Sequence, residues 1–349
     1  GNAIRRLVAI DAAIGTDYLW AATDGGAARY SAGRGGETWT KVTTADGLPS
    51  NDVLDVAVQT VVTPVTYIAT ASGLARSDGA GWTAVNGPAA CPFDRATRLE
   101  VDRSNVLWLS AQQNVPAFAR AAIPPDAPAS PDASTWVSIG VCRYVHAIIQ
   151  SKWTLFDTGT PGLPSNQALD LRADDANRMW LGFANGAAVY DQGSWRMLTP
   201  PAAPLASAKV GAVHAVGEAV WFGHPDTATL TQHAPGWLRF DGTALKAPGK
   251  TPGPVWVEDG AVWVGTGNGF SWYTAAGGWS GRGLGAAVAG VTGFARDGDG
   301  QLWVATAGSG VFAFDGASTA VQTTAAQGLP HDDVRALATD PQGRLWAAT

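Results

Sequence analysis

Apolar and polar positions along this chain alternate in short runs, with the two-residue period of a β-strand. The clearest run is Leu302-Trp303-Val304-Ala305-Thr306, and versions of it recur throughout the chain. They are centred on Trp20, Tyr67, Trp108, Trp180, Trp221, Trp263, Trp303 and Trp346, at steps of 47, 41, 72, 41, 42, 40 and 43 residues. Both faces of the run are apolar, which predicts a strand buried on both sides. A period of about 40–45 residues made of short strands is the sequence signature of a β-propeller. The expected fold is therefore all-β, with four-stranded antiparallel blades, in one propeller domain spanning residues 1–349.

The last complete repeat defines the predicted elements. Val291–Arg296 reads as the innermost strand, Gln301–Thr306 as the second, Val311–Asp315 as the third and Thr319–Thr323 as the fourth. Gly328-Leu329-Pro330-His331-Asp332 then crosses to the next blade. The first turn of the repeat begins with Asp and ends with Gly or Asn in four copies, starting at Asp102, Asp174, Asp297 and Asp340. Asp caps such a turn through its side chain, and Gly or Asn takes the left-handed position. Around Glu258–Ala261 and Val216–Ala219 the turn shortens to a two-residue hairpin loop. A second series, Trp39, Trp82, Trp195, Trp237 and Trp279, follows the box aromatics by 15–19 residues and marks the outer strand. Seven repeats are complete and an eighth stops after two strands, so the count is seven or eight blades, with the half repeat tipping the balance towards eight.

The 72-residue step from Trp108 to Trp180 is the one irregularity. The Pro-rich stretch Ile123–Asp132 cannot form an inner strand. Trp153-Thr154-Leu155-Phe156, leading into Gly162-Leu163-Pro164, repeats Trp39-Thr40-Lys41-Val42 leading into Gly47-Leu48-Pro49. Blade three is thus expected to carry an irregular insertion at about 112–152, with Trp153 on its outer strand; a decayed blade is the alternative.

Composition narrows the function classes. Hydrophobic residues make up 46% and charged residues 15%, which excludes a disordered chain despite 43 Gly and 21 Pro. A net charge of −6 argues against a nucleic-acid or anionic-membrane surface. No window reaches the ~18 apolar residues of a membrane span. Gly1–Arg6 opens directly into a strand, so no leader is expected in this stretch. Cys91 and Cys142 flank the irregular repeat; they read as a disulfide of an oxidising compartment or as two unrelated buried thiols.

With these residues assembled, the chain resembles the two-component-regulator propeller repeat family, whose repeat runs roughly Gly-Leu-Pro-Ser-Asn, an apolar strand, Asp-x-x-Gly, Leu-Trp-x-Gly-Thr, then Gly-Leu and an aromatic-Asp end. Residues 328–349 follow it, as do residues 162–191, ending Val189-Tyr190-Asp191. The fifth repeat departs from the pattern with His224 for Thr. The resemblance implies a bacterial extracytoplasmic sensor module, periplasmic or extracellular, often tied to polysaccharides.

Candidate chemistry is sparse. His224 and His233 are the closest histidine pair, a metal or acid/base candidate set against a packing position and a loop position. Trp272 and Tyr273 could stack on sugars or pack. Asp297, Asp299 and Gly300 read as a turn, because an EF-hand loop needs more acidic ligands and a twelfth-position Glu. No Gly-x-Ser-x-Gly elbow is present. No catalytic residue, metal or cofactor is expected. The first functional reading is a non-enzymatic binding or interaction module for a glycan or a protein surface. The second is a structural accessory subunit of a larger surface or membrane-associated complex, and the third is a propeller lyase or hydrolase.

Overall fold

The computed structural model describes residues 4–10, 18–33, 36–60, 64–114, 136–146, 151–159, 163–198, 208–216, 219–224, 229–233, 238–240, 254–258, 261–265, 267, 269–274, 278–285, 288, 290–317, 319–340 and 342–349. The described strands form antiparallel four-stranded blades, the architecture of a β-propeller. Strands β1–β4 are Ile4–Ile10, Tyr18–Thr23, Gly26–Gly33 and Gly36–Val42. Next come β5–β8 (Val53–Gln59, Val65–Thr70, Gly73–Ser77, Thr83–Val85) and β9–β12 (Arg95–Val101, Leu107–Asn114, Trp136–Val145, Lys152–Phe156). The chain continues with β13–β16 (Ala168–Ala173, Met179–Phe183, Gly186–Asp191, Ser194–Leu198) and β17–β20 (Ala212–Val216, Ala219–His224, Thr229–His233, Leu238–Phe240). Then follow β21–β24 (Val255–Glu258, Ala261–Gly265, Gly269–Thr274, Gly278–Gly283) and β25–β28 (Val291–Arg296, Leu302–Thr306, Val311–Phe314, Thr319–Thr323). Each set of four is one sheet paired in chain order, and β29 (Ala336–Thr339) with β30 (Leu345–Ala348) makes a two-stranded sheet.

The chain divides into two compact units. One comprises Gly1–Lys41, Pro225–Leu230 and Arg239–Thr349; the other comprises Val42–His224 and Thr231–Leu238. In the second unit the core lies between successive blades. Trp108 of β10 is 1% exposed and packs with Leu171, Met179 and Leu181 of the next blade. Trp180 of β14 repeats this one blade later, against Val213 and Phe222. Tyr67 takes the same place on β6, beside Leu99 and Leu109. Every residue of β14 is buried, as the two-sided apolar run predicts. Burying one such aromatic removes ~150–250 Å² from water, worth several kcal/mol. The box aromatics are therefore the wedges that set one blade against the next.

The Asp turns place their left-handed residues at Asn105, Asn177, Gly300 and Gly343, with φ of 57, 61, 79 and 79°. Beyond capping the turn, each Asp accepts a hydrogen bond from the box indole six residues later. The Nε1 atoms of Trp108, Trp180, Trp303 and Trp346 lie 2.9, 2.8, 2.7 and 2.8 Å from the Oδ2 atoms of Asp102, Asp174, Asp297 and Asp340. One side chain thus closes the hairpin and orients the wedge. Burial opposes ionisation of Asp297 and Asp340, but the indole and backbone N–H donors outweigh it and hold both carboxyls below the usual range.

Blade three keeps four strands. Its outer strand β12 carries Trp153, and β11 pairs with both β10 and β12. Part of the 112–152 stretch is thus regular structure: Gln112–Asn114 belongs to β10 and Trp136–Val145 is β11. The Pro-rich stretch 123–132 lies outside the described residues.

Within the first unit, the β29–β30 hairpin is anchored on its neighbours. Val334 N–H donates to Thr306 O (3.0 Å) and Gly298 N–H to Gly343 O (2.7 Å). A Cβ on Gly298 would sit 2.9 Å from the Gly343 Cα, so that seam requires glycine. On the other side Trp346 packs against Tyr30 (4.4 Å) and Trp39 (5.6 Å). A hairpin of this size is marginal alone; these contacts order it.

Candidate functional site

In the second unit, the first strands of successive blades bring together ionisable side chains from positions far apart in sequence. Asp55 of β5 is fully buried. Its Oδ1 accepts from Val56 N–H (2.8 Å) and its Oδ2 from Leu99 N–H on β9 (2.9 Å). Asp170 of β13 repeats the arrangement, accepting from Leu171 N–H (3.1 Å) and from Val213 N–H on β17 (3.0 Å). Both aspartates sit at a register shift of their strand, between Val53 and Asp55 and between Ala168 and Asp170. That extra residue turns the carboxylate towards the neighbouring blade. The two aspartates are inter-blade staples, and the only sequence signal for them is a lone Asp inside an apolar run.

Arg172 lies between Glu100 (3.6 Å) and Asp170 (3.4 Å). Burial disfavours its charge, but Asp170, Glu100 and Asp55 outweigh that and raise its pKa above the ordinary guanidinium value. Next to it on β17, burial and the Arg172 charge push the pKa of His214 down to about 4, with Asp170 opposing. The histidine is therefore neutral at physiological pH. Sequence reasoning missed this group because its members are brought together only by blade packing.

The neutral histidine has a measurable consequence. Below pH 6.5 the unfolded chain protonates this imidazole and the folded one does not, so the histidine's contribution to stability falls as pH drops from about 6.5 to about 4. The full loss corresponds to about 3 kcal/mol. Urea titrations at pH 7 and pH 4.5 should show this fall in the native protein and a much smaller one in His214→Gln. Equal falls in the two proteins would remove His214 from the account.

The sequence candidates take different places. His224 is buried at the end of β18, with Nδ1 2.9 Å from Lys209 O, in the packing position that Thr holds elsewhere. The side chain of His233 lies outside the described residues. Trp272 and Tyr273 lie on β23 and are half-buried. Trp272 stacks on Trp263 (5.3 Å, 21° between planes), and both line a cleft of about 530 Å³ in the first unit. Cys91 and Cys142 are joined in a disulfide. Among the described residues, no group of three or more His, Cys, Asp or Glu side chains is arranged to hold a metal ion. No described helix is long and apolar enough to cross a membrane.

Residues 328–349 match the family described as two component regulator propeller. No curated protein matches the chain in sequence. Among solved structures, the chain is similar to the extracellular domain of a putative one component system from B. thetaiotaomicron, at 16% identity and a TM-score of 0.52. That match covers 100% of this chain and 37% of that one, so the chain spans little over a third of the relative. It is also similar to virginiamycin B lyase from Staphylococcus aureus (12% identity, TM-score 0.54, covering 87% of this chain and 92% of that one). A third similar structure is YCF48 bound to D1 peptide (11%, 0.52, covering 87% and 89%). Identities this low speak to fold alone. The chain carries the two-component-regulator propeller repeat on a β-propeller fold.

Proposed function

We propose that this chain is a non-enzymatic, extracytoplasmic binding module of a bacterial surface or sensor protein, with a glycan or a protein surface as its ligand. The observation that carries the reading is the repeat itself, which residues 328–349 share with two-component-regulator propellers. Two features of the chain agree with it. Its disulfide is fully buried and suits an oxidising compartment. Asp55, Asp170 and Arg172 of the inner strands are committed to backbone N–H groups and to neighbouring charges, and His214 is held neutral. That arrangement serves the scaffold and leaves recognition to loops and clefts. We read residues 1–349 as one propeller domain of seven or eight blades, the number resting on whether the β29–β30 hairpin is counted.

A second reading, an accessory subunit of a larger assembly, is favoured by one observation. Trp39 is 55% exposed, a large apolar side chain beside the two-stranded β29–β30 sheet. The two readings separate on a glycan array run in parallel with size-exclusion chromatography of the complex isolated from its source. Retention on defined glycans supports the binding module. Stoichiometric co-elution with a protein assembly and no glycan retention supports the accessory subunit.

A further inference from the structure

Of the described sheets, β29–β30 alone has two strands. In the four-stranded sheets the second strand pairs on both sides, whereas among the described residues β30 pairs with β29 only. Burial records the difference. β10 and β14 bury all their box residues, Leu107–Ala111 and Met179–Phe183, while Leu345, Trp346 and Ala347 of β30 are half-buried. An open sheet edge is a template for another strand, and edges that stay in solvent are blunted by charge or shortness. The outer strands β4, β12, β16 and β24 carry Lys41, Lys152, Arg196 and Arg282, and β8 is only three residues long. No residue of β30 is charged.

The complete blades show what such an edge receives. In five of them the third-strand residue opposite the first box residue is aromatic: Tyr30 faces Leu19, Tyr144 faces Leu107, Tyr190 faces Met179, Tyr273 faces Val262 and Phe314 faces Leu302. The matching residue of β30 is Leu345. The fourth strand supplies a second group. Trp108 meets Tyr190 (5.1 Å) and Trp195 (6.3 Å) of the next blade. Phe156 of β12, the outer strand of Trp108's own blade, closes that cluster 6.0 Å from Trp108 and 5.1 Å from Trp195. Trp346 meets Tyr30 (4.4 Å) and Trp39 (5.6 Å) in the same way, but the β29–β30 sheet has no outer strand to supply a counterpart of Phe156. Trp195 is accordingly half-buried, and Trp39 is 55% exposed. The same aromatic cluster is built twice, and at Trp39 it lacks its covering side.

We propose that the open edge of β30, with Trp39 beside it, docks a two-stranded segment of a partner polypeptide that completes this blade. The segment runs antiparallel to β30, sets an aromatic opposite Leu345 and brings a large apolar side chain from its second strand onto Trp346 and Trp39. The described third strands of this chain all pair within their own blades, so none of them fills the role. The β30 of a second copy offers Trp346 as its one aromatic, and that ring is committed to Asp340, Tyr30 and Trp39. The proposal rests on the accessory-subunit reading and gives that assembly a contact point. The probe is a synthetic hairpin with the sequence of residues 186–198. In it Tyr190 holds the aromatic position, and Leu198 holds the second-strand position that Phe156 holds in β12. Hydrogen exchange of the whole chain, read by mass spectrometry, is expected to slow over residues 345–349 saturably with hairpin concentration. The same slowing is expected in the assembly isolated from its source, relative to the chain freed from it. Tyr190→Ser in the hairpin, or Trp39→Ala in the chain, should weaken hairpin binding about tenfold or more. Trp39 is exposed, so its variant keeps the fold, which unchanged exchange elsewhere would verify. No hairpin binding, or binding without slowing at 345–349, would overturn the docking edge; co-elution of the source protein with an assembly would then leave the accessory-subunit reading standing without it. Slow exchange at 345–349 in the source protein free of partners would show the edge filled by its own polypeptide. Slowing that grows with chain concentration alone would show a second copy there, and either result would overturn the partner assignment.

Discussion

Asp174→Ala is expected to lower the unfolding free energy by about 3–5 kcal/mol, the range for breaking one partner out of a buried ionic network. Asp174 is 1% exposed. Its Oδ1 accepts from Arg178 N–H (2.8 Å), and its Oδ2 accepts from Arg178 Nε (2.6 Å) and Trp180 Nε1 (2.8 Å). Alanine leaves the fully buried Trp180 indole and the Arg178 guanidinium without that acceptor. It also frees the hairpin that aims Trp180 at Phe222, 5.9 Å away in the next blade. Asp174→Asn keeps an oxygen for the indole but loses the charge that faces Arg178, and should lose about half as much. Urea unfolding followed by circular dichroism measures both. A loss below about 1 kcal/mol for the alanine variant would mean that the carboxylate only decorates the turn. Asp340→Ala is the internal comparison: Asp340 makes the same bonds in the β29–β30 hairpin, but Arg344 there is more exposed than Arg178. Its loss should be smaller.

The Asp turns also mark the boundary of what the sequence discloses. Asp followed three residues later by Gly or Asn was legible as a turn, because each residue type acts on its own backbone. The bond from Asp174 to Trp180 was not, although the six-residue spacing recurs in four repeats. It requires the hairpin geometry that carries residue i+6 back over residue i. The period of the box disclosed the blades for a similar reason: strand burial is a local pattern. Asp55, Asp170, Arg172 and His214 were illegible as a group, since only the packing of successive first strands joins them. His224 is intermediate: its replacement of a box Thr pointed to packing, and the bond to Lys209 O supplies its polar partner. Trp263 inverts the lesson. The shortened turn before it was visible in sequence, yet its consequence, an indole without the carboxylate that Trp108, Trp180, Trp303 and Trp346 have, emerges only once those four are seen to be paired.

Removing the disulfide by replacing Cys91 and Cys142 together with alanine is expected to lower stability by ~4 kcal/mol, the chain-entropy value for the 51-residue separation it closes. The effect should be large because of what the bridge joins. Cys142 lies in the middle of β11, paired with Leu109 on one side and Leu155 on the other. Cys91 lies in the link between β8 and β9, a segment with few backbone bonds of its own: Cys91 N–H to Pro88 O, Phe93 N–H to Cys91 O and Gly87 N–H to Phe93 O. The bridge therefore fastens that link onto blade three. Both sulfurs are fully buried in a core shared with Phe93, Leu99 and Leu107. Packing around the bridge adds to its entropic effect, because alanine at both sites leaves a void among these side chains. Denaturation of the double variant, compared with the oxidised chain and with the chain reduced by dithiothreitol in mild urea, separates the two contributions. The reduced chain keeps the sulfur volume and reports the cross-link; the alanine variant reports cross-link and void together. Loss of the alanine variant's stability without a comparable loss on reduction would place the stabilisation in the packed sulfurs instead of the closed loop.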